Sequence, residues 1–99
     1  RAVLQGLVET YIHGGGKVGA MVEINCETDF VARTDEFKNL AHEVAMQVSA
    51  MDPADVEELL KQEYIRDVSK TIGDLVKETI VKLGENIAIK RFMRFELGQ

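Results

Sequence analysis

Three consecutive glycines and a lysine, Gly14 to Lys17, separate two stretches that suit β-strands. Upstream, residues 7–13 read Leu-Val-Glu-Thr-Tyr-Ile-His, rich in β-branched and aromatic types. Downstream, Val18, Ala20, Val22 and Ile24 fall on one face at period two, with Glu23 and Asn25 on the other. So short a glycine-rich link makes the pair an antiparallel hairpin. A hairpin with one apolar face must be covered by the rest of the chain.

That cover reads as helical. Phe37, Leu40, Ala41, Val44, Ala45 and Val48 form a continuous stripe at helical spacing. Asp35, Lys38, Asn39, His42, Glu43 and Gln47 fall on the side assigned to water. Thr34 is the N-cap, with Asp35 and Glu36 meeting the helix dipole. Just upstream, Thr28 caps a separate short turn over residues 29–33. Asp52 and Pro53 suit the N-cap and first position of the next helix, which runs to about Glu63 with Val56, Leu59 and Leu60 inward. Residues 64–69 read as a loop. Thr71 and Asp74 make an aspartate version of the capping box for a third helix, which Gly84 ends.

Residues 87–97 read as a last strand, with Ile87, Ile89, Met93, Phe95 and Leu97 on one face and Lys90, Phe92, Arg94 and Glu96 on the other. Arg91 interrupts the apolar face, and a bulge near it reconciles the pattern. The expected fold class is therefore α+β, a single domain of 99 residues. A three-stranded antiparallel sheet, the hairpin plus the C-terminal strand, packs on about three helices in two layers. Its open face and two edges invite a second copy or another protein.

Composition narrows the function. Seventeen acidic against twelve basic residues give a net charge of −5, which argues against a nucleic-acid surface. No run of apolar residues is long enough for a membrane helix. Gly14–Lys17 lacks the spacing of a phosphate-binding loop and leads into a strand, not a helix. Cys26, the single cysteine, has acidic neighbours Glu27 and Asp29, which make the thiolate rarer. His13 and His42 lie in other elements, and no zinc or calcium spacing is present. Glu27 and Asp29 form an acid/base pair in principle, which would need a concave pocket, but acidic residues at a helix start are common, and no catalytic constellation emerges. Phe30 is the odd residue, a large aromatic in a connector between acidic neighbours. It either staples the helix start to the core or projects as an aromatic anchor for a partner.

Around Phe30 the chain resembles a known family. Val22-Glu23-Ile24-Asn25-Cys26-Glu27-Thr28-Asp29-Phe30-Val31-Ala32 is similar to the signature of translation elongation factor Ts. Residues 6–13, Ser69-Lys70-Thr71-Ile72-Gly73-Asp74-Leu75, Gly84-Glu85-Asn86-Ile87 and residues 91–98 also match, in order. The resemblance implies a nucleotide-exchange factor that binds elongation factor Tu and speeds GDP release, with no covalent chemistry and no cofactor. It implies that Asp29 and Phe30, flanked by Thr28 and Val31, are the contact corner, the phenylalanine entering a pocket between helices of the GTPase domain. A second contact carries over to Ile65 and Arg66, within Gln62-Glu63-Tyr64-Ile65-Arg66, where Glu63 replaces the family's usual proline.

The resemblance also implies a bacterial cytoplasmic or organellar setting, no direct contact with nucleic acid or membrane, and a homodimer built from single-copy core domains. It places the family's small N-terminal three-helix domain outside this sequence and makes the link between Met51-Asp52-Pro53 and Leu59-Leu60 shorter than usual. Met93 stands where some members have a cysteine, so an intersubunit disulfide is not expected there. The rival reading is a homodimeric α+β interaction module without exchange activity. Exposure of Phe30 separates the two.

Overall fold

The computed structural model describes residues 2–99. Two antiparallel strands, β1 (Gln5–Ile12) and β2 (Val18–Cys26), form the expected hairpin, with Leu7 opposite Ile24 and Tyr11 opposite Ala20. The last strand, β5 (Ala88–Glu96), pairs antiparallel with the other side of β2, so the sheet order is β1-β2-β5. Ala20, Val22, Ile24 and Cys26 are all buried, as the period-two pattern requires.

Among the described residues four helices make up the second layer: α1 (Asp29–Ala32), α2 (Asp35–Met51), α3 (Val56–Lys61) and α4 (Ile72–Leu83). The central helix, α2, lies on β1 and β2 and buries Phe37, Leu40, Ala41, Val44, Ala45 and Val48. Its N-cap is Thr34, whose hydroxyl accepts from the Phe37 amide. On α4 the Thr71–Asp74 capping box is formed in both directions, and Gly84 closes the helix in the left-handed conformation at φ 74°. The two-layer α+β arrangement is the one expected from sequence.

Three local readings are corrected. Asp52 does not start α3; it ends α2 in the left-handed conformation at φ 49°, which aspartate tolerates better than most residues. The N-cap of α3 is Asp55, which accepts from the Glu58 amide while the Glu58 carboxylate accepts from the Ala54 amide. Residues 64–69 are not a loop: β3 (Glu63–Tyr64) and β4 (Asp67–Thr71) form a second antiparallel hairpin. That hairpin packs against the side of α2 assigned to water, so Glu43 and Gln47 are buried.

The bulge in β5 is real and lies at Lys90. Glu23 pairs with Arg91, but Ile24 pairs with Ile89, so one residue of β5 is extra. Beyond it the faces exchange. Ile89 is buried, Phe92 packs against the core, and Met93 and Phe95 turn outward. Together with Val8, Ile12 and Met21 they give the sheet an exposed apolar face away from the helices. Leu97, just past the strand, extends it. A shallow groove of about 360 Å³ runs across this face, floored by Gly19 and lined by Ile12, Met21, Met93, Phe95 and Leu97. A Cβ on Gly19 would sit 2.4 Å from the Ile12 side chain, so glycine lets Ile12 fold over the strand.

Candidate functional site

The corner after β2 is fixed by one carboxylate from the far end of the chain. Glu85 Oε1 accepts from the amides of Glu27 and Thr28, each at 3.1 Å. Its Oε2 accepts from the Thr28 hydroxyl at 2.7 Å. That hydroxyl in turn accepts from the Val31 amide, so Thr28 caps α1 with its orientation set from both sides. The Asn86 amide donates to Glu27 at 2.6 Å, tying the same two segments again. Cys26, fully buried at the end of β2, donates its thiol to the Thr28 carbonyl. Burial, then the nearby Glu85 carboxylate, pushes the thiol pKa up.

On this fixed turn one side faces in and the other out. Val31 and Ala32 are buried, while Asp29 pairs with Arg33 at 2.8 Å on the surface. Phe30 is 82% exposed. The staple reading is thereby excluded: Val31 and Ala32 take the inward positions, and the aromatic ring stands in solvent on a rigid corner.

Ile65 and Arg66 lie elsewhere, at the tip of the β3–β4 hairpin. Sequence reasoning missed what holds them. Gln47, fully buried, donates to the Glu63 carbonyl at 3.0 Å and accepts from the Ile65 amide at 3.0 Å, so its amide spans the turn. Glu43 accepts from the Tyr64 hydroxyl and pairs with the Arg66 guanidinium at 2.7 Å. Another guanidinium nitrogen of Arg66 reaches the Met46 sulfur at 3.4 Å. Arg66 is therefore partly committed to holding the tip, while Ile65 is the tip's apolar group, 38% exposed.

Both elements are referenced to α2. The corner enters its N-cap Thr34, and the tip docks at Gln47; a rise of 1.5 Å per residue separates those points by about 20 Å along the axis. The sequence-proposed residues thus form two separate spots, one before the N-terminus of α2 and one beside Gln47, not one pocket. Glu27 and Asp29 bond to different groups, Asn86 and Arg33. His13 contacts Tyr11, and His42 lies 3.7 Å from Glu9. Among the described residues no group of three His, Cys, Asp or Glu side chains could hold a metal ion. No helix among them is long and apolar enough to cross a membrane.

Two predictions follow from the tip. Gln47→Leu strands the Ile65 amide and Glu63 carbonyl, and is expected to cost about 1.5 kcal/mol of stability with selectively faster hydrogen exchange at Ile65. Unchanged exchange at Ile65 counts against the clamp. The second concerns pH. Burial, then the hydrogen bond to Glu43, pushes the Tyr64 phenol from 10.0 up to about 12. Below the unfolded value both states keep the proton, so this contribution is complete; as pH rises toward the folded value the unfolded state deprotonates first and stability falls. Urea midpoints should therefore drop across that window, and Tyr64→Phe should make the drop shallower. An identical slope in both chains contradicts the assignment.

Fold and site together define a two-layer α+β domain that presents an aromatic corner and a clamped hairpin tip. A family model described as elongation factor TS matches residues 27–99. An elongation factor Ts of Coprothermobacter proteolyticus is 43% identical, covering 100% of this chain and 73% of its own. Another, from Thermoanaerobacter pseudethanolicus, is 42% identical over 100% of this chain and 71% of its own. The chain belongs to the elongation factor Ts family. The Coprothermobacter match runs over 144 positions, so that relative carries residues within the matched span that have no counterpart here. An elongation factor Ts of Nostoc sp. is 50% identical over 97 residues, which is 98% of this chain but 30% of the relative.

Proposed function

We propose that this chain acts in translation elongation by binding elongation factor Tu and promoting GDP release, with Phe30 as the inserted group. The observation that carries the reading is an aromatic 82% exposed on a turn that four hydrogen bonds hold still, inside the segment matched by the family model. Exposing an aromatic ring to water is unfavourable unless a partner covers it, and buried aromatic anchors are frequent binding hot spots. Because the corner is rigid before contact, little ordering entropy opposes insertion. Thr28, Asp29 and Val31 shape the corner, and Ile65 with Arg66 makes a second contact about 20 Å along α2.

The mechanism is linkage, without covalent chemistry. A factor that weakens GDP binding a thousandfold must itself bind the GDP form a thousandfold less tightly, about 4 kcal/mol of coupling. An aromatic anchor contributes roughly 2 kcal/mol, so Phe30 is necessary and the hairpin tip and other contacts supply the rest. Timing release of a fluorescent GDP from elongation factor Tu at increasing concentrations of this chain tests the reading. Acceleration that saturates supports it; a release rate independent of the chain overturns it.

The open sheet face supports a second part of the proposal, pairing with another copy of the chain. Val8, Ile12, Met21, Met93, Phe95 and Leu97 are each more than half exposed on one side of the sheet. Two such faces related by a two-fold axis stack as a sandwich, which buries both at once.

A further inference from the structure

Glu85 lies far from Phe30 in sequence, and nothing about its own neighbourhood marks it for partner binding. Its carboxylate nevertheless receives three hydrogen bonds from two consecutive residues of the corner, 57 and 58 positions away. A carboxylate is the group such a place needs. Two backbone amides and a hydroxyl all donate, and an ionised carboxylate has acceptor sites for all three. Thr28 is oriented by the exchange: giving its hydroxyl proton to Glu85 leaves its lone pairs for the Val31 amide. Without Glu85 the Thr28 rotor is free, and the amides of Glu27 and Thr28 lose their acceptor. The four-residue helix α1 is too short to hold itself, so its direction, and that of Phe30, is set by its anchors: this carboxylate, the Asn86–Glu27 bond and the burial of Val31 and Ala32.

We infer that Glu85 is a positioning residue for Phe30: by clamping Thr28 from the α4–β5 junction it holds α1 in the pose from which the aromatic ring docks. This rests on the proposed docking role of Phe30. Its local part stands independently of any partner.

The test uses the full chain with Glu85→Ala and Glu85→Gln, each alone and combined with Phe30→Ala. In the free protein, Glu85→Ala should speed hydrogen exchange at the amides of Glu27, Thr28 and Val31 by about tenfold or more, leaving buried α2 amides such as Val44 unchanged. Glu85→Gln keeps one carbonyl oxygen for the two backbone amides and should fall between, at about threefold. Stimulated GDP release from elongation factor Tu should drop in the same order, about tenfold for alanine. In the Phe30→Ala background the Glu85 substitutions should add nothing, since the group they position is gone.

Unchanged corner amides in either variant overturn the clamp. Exchange that quickens equally throughout the molecule, or a release penalty that persists undiminished without Phe30, reduces Glu85 to a general stability role and overturns the inference. If the unaltered chain does not accelerate GDP release, the docking reading fails; selective loss of corner protection then still upholds the clamp, and its absence refutes it.

Discussion

Phe30→Ala is expected to lower affinity for elongation factor Tu about thirtyfold or more while leaving the chain's own melting temperature within about 2 °C. The two halves of that expectation have one cause. The ring is 82% exposed, so the fold gains almost nothing from it. In the proposed complex the same ring is desolvated, and truncating a central aromatic anchor costs about 2 kcal/mol or more. Stimulated GDP release at a fixed, subsaturating concentration should fall by the same factor. The comparison is demanding because most substitutions that damage function also damage the fold. A melting temperature that drops by 10 °C, or release that is unaffected, removes Phe30 from the interface.

Phe95→Glu is expected to raise the dissociation constant of the proposed homodimer about a hundredfold or more. Phe95 lies in the groove of the open sheet face and is 71% exposed, so a charge there is tolerated by the isolated chain. In a face-to-face sandwich it is not. Each copy would bring a carboxylate into an apolar layer lined by Ile12, Met21, Met93 and Leu97, and the two-fold axis doubles the penalty. Sedimentation across a range of concentrations should show dimer for the parent chain and monomer for the variant. The same mass distribution for both chains, or a parent that stays monomeric at high concentration, contradicts pairing through this face.

How much of this was legible in the sequence depended on how local the cause was. The β1–β2 hairpin, the apolar stripe of α2, the Thr34 and Thr71 caps and the Gly84 stop all follow from spacing within a few residues, and all appear as read. The β5 bulge was anticipated because Arg91 broke a period-two face, although the extra residue is Lys90. The β3–β4 hairpin escaped because strands of two and five residues are too short to establish a period. Missing it carried a second error. Glu43 and Gln47 lie on the polar side of an amphipathic helix, and only the hairpin that packs there makes them interior. The misplaced cap at Asp52 had a local remedy in the Asp55–Glu58 spacing, itself a capping pattern.

The corner divides the same way. Thr28 could be recognised as a cap and Phe30 as out of place, because both facts are local. Whether Phe30 packed inward or projected could not be decided until Val31 and Ala32 were seen to fill the inward side. Glu85 stood in the family-like segment Gly84-Glu85-Asn86-Ile87, but nothing local showed its task, since every group it holds at the corner comes from the other half of the chain. The groups that would touch a partner were thus within reach of sequence reasoning, and those that hold them in place mostly were not.

The central claim is that docking and nucleotide release are two sides of one equilibrium. Titration calorimetry of this chain against elongation factor Tu, once emptied of nucleotide and once saturated with GDP, measures that directly. Linkage requires tighter binding to the empty form, by the factor through which the chain weakens GDP, on the order of a thousandfold for a coupling of about 4 kcal/mol. Equal affinity for the two forms would mean a chain that docks without promoting exchange, and would contradict the account.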